Sequence, residues 1–155
     1  MKKIFITIIA LSMFVFCQSG CSNDSNTENL GDQQTLLKAT KINPSAITKI
    51  VVYDGRGGLN KPLTIENKQE IEQFITEYLD KCVVAKIETM SDEMLTTGWS
   101  HDIVFYSGNK KIMDIMFSKH IVLNKTDNYK VLKNDLAPNK IDEFLKSVDS
   151  SWKTP

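Results

Sequence analysis

The sequence predicts an α+β fold, a mostly antiparallel sheet of about five to seven strands with two amphipathic helices packed on one face. Short runs rich in Val, Ile, Thr, Tyr and Phe alternate with turn residues, as in AITKIVVYDG and HDIVFYSGNKKIMDIMF. These runs follow one another closely enough to pair as hairpins. Two other segments repeat apolar residues at helical spacing, one after Asn67 and one from Pro138.

Residues 47–53 are dense in β-branched side chains and run into Asp54-Gly55, which marks a strand and its turn. The glycines of DGRGGLNK supply a loop that needs positive φ. PLTIEN then returns as a second strand, with Leu63 and Ile65 on one face. Asn67 reads as a helix N-cap, with Glu70 three residues on. Ile71, Phe74, Ile75, Tyr78 and Leu79 follow at i, i+3, i+4, i+7 and i+8, one face of a helix. CVVAKIE is a third strand, and TMSDEMLTTGWS an irregular stretch. HDIVFY, the turn SGNK and KIMDIMF form a hairpin in which Met113, Ile115 and Phe117 share one face. HIVLN and YKVL, joined by KTDN, are two shorter strands. Pro138 starts a last helix, along which Ile141, Phe144, Leu145, Val148 and Trp152 form one stripe.

The first twenty residues are of another kind. Lys2 and Lys3 precede an apolar run from Ile4 to Phe16, too short to cross a bilayer comfortably. A positive start, a short apolar core and small residues describe a secretory leader. Ser19 and Gly20 stand directly before Cys21. Here the chain resembles a bacterial lipoprotein signal, in which a cysteine receives a diacylglyceryl group and the chain is cut just before it. The resemblance covers about 21 residues and implies that Cys21 is the lipidated N-terminus, so that the protein is anchored in a membrane on its extracytoplasmic face. The polar stretch that follows, rich in Ser, Asn, Asp and Gln, reads as a tether. The expected organisation is therefore a leader over 1–20, a lipidated cysteine and tether over 21–43, and one α+β domain over 44–155.

Losing Lys2 and Lys3 with the leader takes the 19 basic side chains to 17, against 19 acidic ones. That balance does not suit nucleic acid, which calls for a clustered basic surface. Cys82, His101 and His120 lack the local pairs from which zinc sites are built. No phosphate loop, nucleophile elbow or H-E-x-x-H sequence is present. Accordingly no metal, no cofactor and no catalytic residue is expected. The reading is a non-catalytic binding or protein-interaction module, with a protein or small ligand of the cell envelope as partner; the alternative is a small envelope hydrolase with dispersed residues. The expected binding surface is the sheet face turned away from the helices, made of Val104, Tyr106, Ile112 and Met116, with His120 beside them and Trp99 at the rim. Those residues are too apolar for an ordinary solvated face.

Overall fold

The computed structural model describes residues 30–88, 99–118, 120–134 and 137–154. Within them lie eight strands: β1 (Leu30–Thr35), β2 (Lys49–Asp54), β3 (Leu63–Ile65), β4 (Val83–Ile87), β5 (His101–Ser107), β6 (Lys110–Phe117), β7 (Ile121–Leu123) and β8 (Asp127–Lys133). The helices are α1 (Leu36–Thr40), α2 (Lys68–Phe74), which continues as a wider π turn over Ile75–Asp80, and α3 (Pro138–Val148). The strands form one sheet in the order β1-β4-β8-β7-β6-β5-β2-β3, with every pair antiparallel.

The α+β class and the antiparallel sheet agree with the sequence reading; the strand count exceeds it by one. The additional strand is β1, which lies in the segment expected to be tether. It pairs with β4, Gln33 opposite Ala85 and Thr35 opposite Val83. Thr35 then caps α1 by accepting from the Lys38 amide at 3.2 Å, and Leu36 and Ala39 enter the core. Residues 30–43 therefore belong to the domain, and α1 is a third helix beside the two expected.

Asn67 caps α2 as its spacing foretold, accepting from the amides of Gln69 and Glu70 at 2.9 and 3.4 Å. Pro138 stands in the first turn of α3, where its missing N–H costs nothing. One core lies between these helices and one sheet face: Phe74, Leu79, Phe144 and Leu145 against Ile50, Val52, Phe105, Ile115 and Phe117. Phe74 joins the layers, its ring 6.1 Å from Phe105 and 5.4 Å from Phe144. Cys82 is fully buried in the same core. The stripe read through Val148 to Trp152 breaks, because α3 ends at Val148. Trp152 instead folds back on a turn, its amide bonded to the Asp149 carbonyl, and buries its ring from the tail.

Candidate functional site

The ladder between β2 and β5 organises the candidate site at one end of these strands. Asp54 lies opposite His101 and Tyr53 opposite Asp102. Because side chains alternate along a strand, Asp54 and His101 point into the helix side and Tyr53 and Asp102 to the far side. The chain then leaves β2 through Gly55, whose amide donates to the Ser100 carbonyl at 3.0 Å.

On the helix side the residues form a buried ion cluster. Arg56 turns back from the loop and donates Nε to Asp54 Oδ1 at 3.0 Å. Its Nη1 and Nη2 reach Asp142 on α3 at 2.6 and 2.8 Å, a bidentate pair. Trp152 Nε1 donates to the same carboxylate at 2.8 Å, and His101 Nε2 lies 3.1 Å from it. Asn60 ties Asp54 to the tail, giving one bond to Asp54 Oδ2 at 2.7 Å and exchanging two with the Lys153 backbone. Burial alone would raise the Asp142 carboxyl, but the bonds from Arg56, Trp152 and His101 outweigh it and hold it below the usual carboxylate range. Asp54 is held down in the same way, by Arg56 and Asn60 against burial. The Arg56 guanidinium is held up chiefly by its bond to Asp142. For His101, burial wins over Asp142 and lowers its pKa. With its proton on Nε2 the neutral ring donates to Asp142 but faces the Arg56 Nη2 donor at 3.3 Å, and Nδ1 has no partner among the described residues.

A histidine oriented by a carboxylate is half of a general-base device. Here the ring is fully buried, and no nucleophile faces Nδ1 among the described residues. The cluster works as a strut: it locks the Asp54–Arg56 segment, α3 and the tail to one another.

The far face carries the sequence-predicted surface, in part. Cross-strand pairing puts Tyr53, Asp102, Met116 and Val122 in one row and Val51, Val104 and Asp114 in the next. Tyr106 and Met116 are half-buried there, and the Lys49 ammonium lies 4.7 Å over the Tyr106 ring. Three expectations need correction. Val104 is buried, not available as surface. Ile112 packs against the helix-side core, because a bulge opposite Phe105 and Tyr106 shifts its register. His120 is also buried, in the β6–β7 connection, with Nδ1 3.1 Å from Ser118 Oγ; burial lowers its pKa. Cys21 lies outside the described residues.

Trp99 stands where the rim was expected, but not as a cover for the core, since it is 40% exposed. Its indole lies flat on Gly55: a Cβ added there would meet Cε3 at 2.3 Å and Cδ2 and Cζ3 at 2.6 Å. One ring face is backed by main chain, while the residue as a whole remains 40% exposed. Tyr53, Leu59 and Trp99, three of the four exposed large hydrophobic residues described, all belong to this end of the molecule. Sequence reasoning missed Tyr53, Gly55, Arg56 and Asp142. Only the spatial register unites them.

Comparison with family models, with curated proteins and with solved structures returns no match to this chain.

Proposed function

We propose that this chain is a non-catalytic binding module held at the extracytoplasmic face of a membrane through a lipid on Cys21. One observation carries the binding half of the reading: the strongest ionic groups are consumed by one another, while a rigidly backed indole is left facing solvent. Asp142 accepts three bonds on Oδ1 and one on Oδ2 from Arg56, His101 and Trp152 and is 1% exposed, so its charge is spent inside the cluster and closed off from a substrate. Trp99, by contrast, is 40% exposed and packs on Gly55, two residues beyond Tyr53, which pairs with Asp102. Preorganised apolar faces with a few polar neighbours are the usual material of binding sites.

The anchor half rests on the lipoprotein-like sequence at Ser19-Gly20-Cys21. Fractionation tests it: Cys21→Ser should leave the membrane fraction or accumulate uncleaved. A Cys21→Ser protein that stays mature and membrane-bound refutes the anchor. A hydrolase panel on the purified protein tests the other half, and turnover lost in His101→Gln would overturn the non-catalytic reading.

A further inference from the structure

From the surface around Trp99 we infer that the ligand is a saccharide, bound by stacking one pyranose ring on the open face of the indole while hydroxyl groups reach Asp102 and Tyr53. The inference rests on the binding-module reading and narrows its ligand class.

The geometry selects this chemistry in three ways. The indole is immobilised: its inner face touches the Gly55 main chain, where any side chain would collide with it. A π face is negative and attracts polarised C–H groups, and one side of a pyranose is a flat set of such groups. Next, polar and aromatic groups stand side by side at sugar-like spacing. Tyr53, Asp102 and Met116 are direct cross-strand neighbours on β2, β5 and β6, a separation of about 5 Å per step. Asp102 Oδ1 is shielded from water and has no partner among the described residues, so it is an acceptor already stripped of solvent. Lastly, the area is small. Tyr53 and Trp99 are 37 and 40% exposed; at about 200 Å² for an aromatic side chain this amounts to roughly 150 Å². A stable protein partner needs about 800 Å² a side, whereas one or two sugar rings need no more than this.

The test uses the full chain in a sugar-free detergent, titrated with the β-1,4-linked tetrasaccharides of glucose and of N-acetylglucosamine. The chain has two tryptophans, and Trp152 is buried, so a change in emission or acrylamide quenching reports Trp99. Saturable protection of Trp99 by one of the saccharides is expected. Trp99→Ala should weaken binding at least tenfold, measured by calorimetry, Trp99→Phe by less, and Tyr53→Ala severalfold, with melting unchanged. Gly55→Ala should displace the indole and lose binding while Trp99 remains. Protection by neither tetrasaccharide overturns the saccharide assignment. Envelope fragments stripped of glycan provide the second arm. If they protect Trp99 where the sugars do not, the ligand is a protein and the binding-module reading stands without this inference. If nothing protects it, both fall.

Discussion

Asp142 and Asp102 show how two carboxylates in one domain take opposite roles. Asp142 is buried but surrounded by donors, and removing it leaves Arg56 with Asp54 alone and orphans the Trp152 N–H. Asp142→Ala should therefore cost on the order of 3 kcal/mol, at the lower end for such a loss because the Arg56 side chain keeps 20% of its surface in solvent. Urea unfolding at neutral pH measures this, and a cost under about 1 kcal/mol would mean the cluster is not a strut. Asp102 has the reverse problem: burial, then the nearby Asp114, raise its pKa. The signs follow by linkage. Asp54 and Asp142, lowered in the fold, add stability that is present above the ordinary carboxylate pKa and lost as pH falls through their folded values. His101 and His120 are also lowered, so their contribution is complete above about 6.5 and fades as pH falls below that. Asp102 is the one carboxylate among the described residues whose pKa is raised, and it destabilises the fold at neutral pH until acid protonates it. Asp102→Asn should thus raise the melting temperature at pH 7, with the gain vanishing near pH 4. A gain that persists unchanged in acid would show that ionisation is not the cause. A residue kept at a cost to stability is a mark of function, which is why the orphaned carboxylate matters to the ligand argument. Trp99 and His101 were legible in the sequence as an aromatic and an imidazole entering a strand. Their partners were not, because Arg56 meets Asp142 across 86 positions and no local spacing encodes that pairing.

At the level of elements, amphipathic period was a dependable guide where an element was long and half-buried. The helical face from Ile71 to Leu79 and the core-facing set Met113, Ile115 and Phe117 all lie in the core, as their spacing required. The guide failed at β1 and α1. An edge strand facing solvent carries polar residues to discourage further pairing, and Gly31, Asp32, Gln33 and Gln34 read like linker. Five residues of α1 are too few to display a period. Yet Leu36 is fully buried, and its amide donates to the Cys82 carbonyl at 2.8 Å, fastening the element to the start of β4. Leu36→Ala should cost about 2–5 kcal/mol, as other buried Leu truncations do. A chain beginning at Pro44 should lose more, since it also uncovers β4, whereas one beginning at Leu30 should melt like the full-length protein. Equal melting of the two shortened chains would restore the tether reading for residues 30–43. Ile112 failed for a different reason. Strict alternation assigned it to the far face, and a bulge, which has no reliable sequence signature, returned it to the core side.

For the whole molecule, sheet order sets the distance between the start of β1 and the proposed binding surface. Only eight residues separate Cys21 from Leu30, the first residue of β1, so even fully extended that connection spans at most about 30 Å. A lipid on Cys21, as proposed, would keep the β1 margin of the sheet within that distance of the bilayer. Tyr53 lies on β2, six strands across from β1 in the order β1-β4-β8-β7-β6-β5-β2-β3. At about 4.8 Å per strand that is on the order of 29 Å. Trp99, packed on Gly55 just past the end of β2, sits at the same remote margin. If Cys21 carries the proposed lipid, the sheet would act as a spacer between it and the indole. The arrangement has a measurable consequence. In the protein bound to vesicles, aqueous acrylamide should quench Trp99 as strongly as it does in Cys21→Ser, and lipids brominated on their acyl chains should not quench it. Subtracting the emission of Trp99→Phe isolates the signal from the buried Trp152. Quenching by brominated lipid would mean that the β2–β5 margin lies on the bilayer, and that Tyr53, Leu59 and Trp99 contact lipid instead of an envelope ligand.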